Sequence, residues 1–183
     1  MLASILLSTF IQREELPVQF ADIVLVVGGT LTGLLAGVFY AFSVAIVPAL
    51  RSIKGESHIA AMQAINVKIE NPVFFLSFFG PTFLLPLAAF LYRGLPQFGL
   101  LVVASILHIV GANGATIAGD IPLNNELAKR DAYQLSEAEA EQIRTEFQRP
   151  GSAWMKFHHI RTFAAIAATA LVFIACLSKN TSR

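Results

Sequence analysis

The sequence has few charged residues and a single cysteine. Charged residues make up 14% of its 183 residues, against the roughly 25% typical of soluble domains. The formal net charge of +1 gives no basic surface for nucleic acid, so we predict no nucleic-acid partner. The lone Cys176 cannot form an internal disulfide, and cysteine usage therefore leaves the redox compartment open.

The sequence also lacks the short motifs of several enzyme classes. It has no H-E-x-x-H, H-x-x-E-H or Glu-x-x-His pattern, and His108 and His158 are expected at different depths of a membrane, so we predict no metal site. It contains neither a Gly-rich phosphate loop beside a strand nor a G-x-S-x-G turn. These absences argue against phosphate-binding and serine-hydrolase sites.

Long apolar runs dominate the chain instead. Hydrophobic residues make up 55% of it, and the mean hydropathy is +0.64. Since roughly 20 apolar residues cross a bilayer as a helix, we predict one integral membrane domain embedded in the lipid bilayer. The predicted fold is an all-α, four-helix transmembrane bundle with spans at about residues 23–50, 71–92, 98–119 and 153–177. Ser136 and Glu139 form a capping box, which predicts an extramembrane helix in the insertion between spans three and four.

The connections between the spans indicate an orientation. Lysine and arginine concentrate in the long connections between spans one and two and between spans three and four. The positive-inside rule then predicts that both connections face the cytoplasm and that both termini lie on the opposite side. We interpret residues 1–11 as an interfacial helix and residues 57–68 as a second surface helix that covers one end of the bundle.

The third span carries an ionisable residue near its middle, His108. Such a side chain is costly in lipid, so we predict that His108 points into the bundle in its neutral form. Its helical face is shared by small and hydrogen-bonding residues, namely Ser105, Ala112, Thr116 and, one position round, Asn113. Pro122 predicts the first turn of a new helix after this span.

The first two spans carry features that fit packing or a flat ligand. Gly29, Gly33 and Gly37 recur every fourth residue and favour close approach of a neighbouring helix, or of a planar ligand. Tyr40 continues the same stripe and needs a hydrogen-bond partner if it is buried. Five phenylalanines of the second span are more typical of core or lipid contact than of a ligand bed.

Polar residues of the four spans are predicted to meet at the cytoplasmic end. Trp154, His158 and Arg161 share one face of the fourth span. A rise of ~1.5 Å per residue places His158 level with residues 113–116 and His108 about 10 Å deeper. The predicted cavity is lined by Tyr40, Asn71, Asn113, Thr116, Trp154, His158 and Arg161, with Asn124 and Asn125 at its mouth. Taken alone, Trp154 is more typical of an interfacial anchor, whereas for Arg161 a site is favoured over a side chain that snorkels to headgroups.

Four segments carry a resemblance to a known family. They are GVFYAFSVAIVPALR at residues 37–51, AMQAINVKIENPVF at 61–74, TIAGDIPLNNELA at 116–128 and WMKFHHIRT at 154–162. In this order they resemble the anthrone oxygenase-like family of small four-helix membrane proteins, and the resemblance extends from Gly28 to the fourth helix. The sequence departs from the usual family pattern at Asp120 and at His158, each of which stands where asparagine is common.

The resemblance implies a cofactor-independent monooxygenase of a polyketide pathway, which oxidises a hydrophobic anthrone to an anthraquinone with O₂. An anthrone's ring methylene is acidic because its anion is an aromatic phenolate, and that anion can react with O₂ without a metal. The protein must supply a base, oxyanion donors and a flat apolar slot. We predict His158 as the base, acting together with Arg161. The predicted substrate contacts are Tyr40, Asn71, His108, Asn113, Thr116, Asn124, Asn125 and Trp154.

A non-enzymatic function is the alternative. A small accessory subunit of a larger membrane complex would use the same glycines and phenylalanines to pack helices, pigments or quinones. The sequence leaves open whether the chain is an enzyme, a homo-oligomer or a subunit of such a complex.

Overall fold

A computed structural model describes residues 19–178, which are helical almost throughout and contain no strand. The all-α prediction is confirmed for these residues, while the predicted interfacial helix at residues 1–11 lies outside them. The helices are α1 (Phe20–Arg51), α2 (Gly55–Ile69), α3 (Pro72–Leu91), α4 (Gln97–Ala128), α5 (Glu137–Gln148) and α6 (Ala153–Ser178).

Four of these helices, α1, α3, α4 and α6, are long and apolar enough to cross a membrane. The prediction of four apolar spans is confirmed by length and composition. The helix predicted in the insertion is also present: the Ser136 hydroxyl accepts the Glu139 N–H, and the Glu139 carboxylate accepts the Ser136 N–H at 2.9 Å. This capping box starts α5 outside the apolar spans.

The predicted break after the third span is wrong. Helix α4 continues through Asp120 and Pro122 by way of π-helical turns at Leu107–Gly114 and Thr116–Asp120. A proline inside a regular α-helix lacks a donor and clashes with the preceding turn, whereas a wider π turn gives the ring room. As a consequence Asp120 lies within a membrane-length helix and is 0% exposed.

The glycine stripe of α1 packs against α6. A Cβ atom on Gly29 would come within 2.6 Å of the Val172 side chain, and one on Gly33 would contact Thr169. Close helix packing therefore accounts for these two glycines. The alternative, a ligand slot along the stripe, does not fit Gly29 and Gly33, because side chains of α6 already occupy the space next to them.

Helices α2 and α5 close one end of the bundle. Ile59 and Met62 of α2 are fully buried, and α2 contacts both α5 and the end of α4. The Gln63 side-chain amide donates to the carbonyls of Leu127 and Arg130, at 2.9 and 2.8 Å. These contacts fix α2 across the end of the bundle, where its polar face can contribute to a site.

Gly55 begins α2 in direct contact with the backbone of α5. A Cβ atom there would lie 2.4 Å from the Ala140 carbonyl carbon. Since a backbone cannot move aside like a flexible side chain, we expect Gly55→Ala to destabilise the fold by about 1–3 kcal/mol. The measurement is thermal or denaturant unfolding in detergent micelles. Gly99→Ala is the matched control, because a Cβ there meets nothing within 4 Å, and an equal loss in both variants would contradict this account of the packing.

Candidate functional site

A cavity of about 410 Å³ lies at the end of the bundle that α2 covers. Its volume falls within the roughly 300–1,000 Å³ typical of small-molecule sites. Aromatic residues form much of its wall: Phe39, Phe42, Phe74, Phe75, Phe78, Phe79 and Trp154. Polar residues form the rest of the lining together with aliphatic side chains: Gln63, Asn66, Glu70, Thr116, Asn124, Asn125 and Arg161. The cavity wall thus combines aromatic rings with polar side chains.

Part of the cavity lining lies on the outer surface of the bundle, on α3 and α4. The two helices pack together along Gln97–Gly114 of α4, below the level of the cavity. Above this contact, Phe75 and Phe79 of α3 and Ile117 and Ile121 of α4 line the cavity and are exposed on the outer surface. In a membrane-embedded bundle this exposed apolar part of the lining faces lipid.

Arg161 provides the positive charge on the cavity wall. Arg161 is 7% exposed. Its guanidinium lies 4.6 Å from the centre of the Phe39 ring and 5.6 Å from that of the Trp154 ring. The Arg161 Nε atom lies 3.2 Å from a carboxylate oxygen of Asp120. Burial of an arginine requires such a counter-charge, and Asp120 supplies it from α4.

The close approach of α4 and α6 brings Asp120 to Arg161. A Cβ atom on Gly119 would lie 2.1 Å from the Phe157 ring, so only glycine lets the helices meet at this distance. The next residue, Asp120, is then held next to Arg161 at the centre of the contact. Asp120 itself is fully buried and lies behind the cavity wall.

His158 also holds the Arg161 guanidinium. Its Nδ1 atom accepts from Arg161 Nε at 3.3 Å and from Nη2 at 3.1 Å. Because a guanidinium only donates, the ring proton belongs on Nε2, which donates to the Ser43 hydroxyl at 2.8 Å. His158 is 0% exposed and stacks on Trp154. With both ring nitrogens engaged, His158 orients Arg161 and does not reach the cavity wall.

Trp154 lies in the cavity wall and is 2% exposed. Its indole N–H donates to the Asn124 side-chain oxygen at 2.9 Å, so the interpretation as an interfacial anchor does not fit its burial. Thr116 and Asn125 also line the cavity. The same indole borders a second hollow of about 250 Å³ between the end of α4 and α5.

Residues 74–171, more than half of the chain, match the model of the anthrone oxygenase family. The chain belongs to the anthrone oxygenase family. Comparisons with curated proteins and with solved structures gave no match. The matched range contains α4, α5 and most of α3 and α6, and so includes the helices that carry Asp120, Trp154 and Arg161.

In this member of the anthrone oxygenase family, His108 and Asn113 serve the contact between α3 and α4. The prediction that His108 points into the bundle is confirmed by its 0% exposure. Its Nε2–H donates to the Phe78 carbonyl at 3.1 Å, and the Asn113 amide donates to the same carbonyl at 2.9 Å. Two side-chain donors of α4 thus meet one backbone carbonyl of α3. Neither residue lines the cavity.

Two other predicted contacts also lie away from the cavity. Tyr40 is 56% exposed on the outer face of α1. Asn71 caps α3: its side-chain oxygen accepts the N–H groups of Val73 and Phe74, at 3.1 and 3.0 Å. The expectation that both residues line the cavity is therefore wrong, because one faces outward and the other is used by the helix start.

Sequence reasoning missed the contribution of α2. Gln63, Asn66 and Glu70 all line the cavity. Their spacing of three and four residues places them on one helical face, which was a readable signal. The prediction of a surface helix that covers one end of the bundle rests on the apolar side of this helix alone. Asp120 was missed as a partner of Arg161 for another reason, because the third span was predicted to end at about residue 119, just before it.

The two departures from the usual anthrone oxygenase pattern are neighbours in the structure. Asp120 and His158 both contact the Arg161 guanidinium. The carboxylate supplies the counter-charge of this cation, and the neutral imidazole supplies an acceptor. Both residues therefore act on how Arg161 is held.

Proposed function

We propose that this single membrane domain is a cofactor-independent oxygenase that oxidises an anthrone-like hydrophobic polycyclic phenol with O₂. The observation that carries the proposal is the buried cation of Arg161 on the wall of an aromatic cavity, part of whose lining is exposed on the apolar outer surface of α3 and α4. The membership in the anthrone oxygenase family supports it. By the positive-inside rule, the cavity end of the bundle lies on the cytoplasmic side.

The cavity suits a planar ligand with oxygen substituents at one end. The rings of the substrate would lie against Phe74, Phe75 and Phe78, and its oxygen atoms would face the polar part of the wall. Asn124, whose side-chain oxygen is engaged by Trp154, would present its NH₂ group. Arg161 would bind the oxygen that gains negative charge, with His158 as the residue that positions the guanidinium.

The reaction follows from this placement. Loss of a proton from the ring methylene gives a phenolate, whose charge Arg161 stabilises. The anion transfers an electron to O₂, and recombination forms a hydroperoxide at the former methylene carbon. Loss of water from this hydroperoxide gives the second carbonyl. In total the substrate loses two hydrogen atoms and gains one oxygen atom, while the other oxygen atom leaves as water.

Oxygen uptake by the purified protein in nanodiscs tests the proposal. With an anthrone we expect uptake well above the protein-free rate, one O₂ consumed per anthraquinone formed. One labelled oxygen atom from ¹⁸O₂ should appear in the product and one in water. If no anthrone in a panel raises uptake above the protein-free rate, the oxygenase proposal is wrong, and the accessory-subunit alternative takes its place.

A further inference from the structure

The proposed oxidation needs a group that removes the methylene proton, and the inference below rests on that proposed function. A general base must come within hydrogen-bond reach of the proton it takes. Among the described residues that line the cavity, the titratable side chains are Glu70 and Arg161. A guanidinium has no lone pair to accept a proton, and the amides and Thr116 are neutral. Glu70 is therefore the proton acceptor available on the wall.

The buried titratable groups next to the cavity do not meet this requirement. His158 and Asp120 are both 0% exposed and lie behind the wall. A second proton on His158 would have to enter at Nδ1, which already accepts from Arg161, and would place two cations in contact. Asp120 is the counter-charge of that arginine, so protonating it would leave the guanidinium uncompensated.

The junction between α2 and α3 holds Glu70 in place. The Asn71 side-chain amide donates to the carbonyls of Lys68 and Ile69, at 3.0 and 3.2 Å, while its oxygen caps α3. Both ends of the junction are thereby fixed around Glu70. Glu70 is also exposed, so its carboxylate can exchange protons with water while it faces the cavity.

We propose that Glu70 is the catalytic base of this oxidation. The Glu70 carboxylate takes the first methylene proton, and the electron pair of the broken C–H bond moves into the phenolate held by Arg161. After O₂ has added, the carboxylic acid returns its proton to the peroxide anion. The carboxylate then takes the remaining proton from the same carbon while the O–O bond breaks, and the departing hydroxide recovers that proton as water.

Glu70→Gln is the direct test, with Glu56→Gln as the matched control. Both glutamates are exposed. Glu56 lies in the first turn of α2 and outside the cavity, whereas Glu70 directly follows α2 and lines the cavity. We expect Glu70→Gln to reduce the rate of O₂ uptake with an anthrone by about 10²- to 10⁴-fold, the usual contribution of a general base. Glu56→Gln should match the parent, and Glu70→Asp should retain more activity than Glu70→Gln.

The pH profile separates a base from a merely structural residue. Hydroxide can replace a missing base, so the deficit of Glu70→Gln should shrink as the pH rises. A deficit of the same size at every pH, or a rate within about twofold of the parent, overturns the inference while the oxygenase proposal stands. Absence of uptake by the parent overturns both. Unchanged thermal unfolding of the variant confirms that the comparison is between folded proteins.

Discussion

Replacement of Arg161 by glutamine is expected to slow anthrone oxidation by about 10²-fold or more, the usual cost of losing one donor to a developing oxyanion. This loss is expected because Arg161 is the positively charged side chain among the described residues that line the cavity. The charge that it stabilises appears on the substrate only as the proton leaves. The loss should therefore fall mainly on kcat, with a smaller change in KM.

His159→Gln is the matched control for this experiment. His159 is exposed and lies about 100° away from His158 on α6, so its replacement should leave oxygen uptake unchanged. Arg161→Lys should give an intermediate rate, because an ammonium keeps the charge but not the planar fork that donates to His158. Equal uptake by the parent, Arg161→Gln and His158→Ala would remove the proposed site.

Hydropathy was sufficient to locate the four spans, because the length of an apolar helix is a local property of the chain. The third span shows the limit of that reasoning. Pro122 was interpreted as a helix start, whereas the π-helical turn at Thr116–Asp120 lets α4 continue past it. At this turn α4 packs closely on α6, with Gly119 against the Phe157 ring. Local sequence patterns do not contain this information.

The sequence can predict that two side chains lie together where both share one face of a single helix. Trp154 and Arg161, one helical face of α6, do line the cavity together. Long-range pairs were not predictable in the same way: Asp120 and Arg161 lie on different helices and meet only because α4 and α6 pack closely. His158 is the predicted base, but a side chain can act as a base only if a lone pair faces the ligand. The lone pair of His158 faces Arg161.

Breaking the Asp120–Arg161 pair is expected to have the largest effect on stability. Asp120→Asn removes the counter-charge from a guanidinium that is buried between α4 and α6. Removal of one partner from a buried ion pair typically costs about 3–5 kcal/mol. We expect unfolding of this variant in detergent at a clearly lower denaturant concentration. Asp131→Asn, at an exposed position after α4, is the control and should unfold like the parent.

The two partners of this pair should respond differently to pH, which makes the test specific. Arg161→Gln leaves a buried carboxylate, which can become neutral by taking up a proton, whereas Asp120→Asn leaves a guanidinium that cannot lose one. Relative to the double variant, which carries neither charge, Arg161→Gln should therefore become less unstable as the pH falls, whereas the stability difference of Asp120→Asn from the double variant should not change with pH. The double variant removes both charges, so its loss of stability should be smaller than the sum of the two single losses. Strictly additive losses, independent of pH, would mean that Asp120 and Arg161 do not interact as an ion pair.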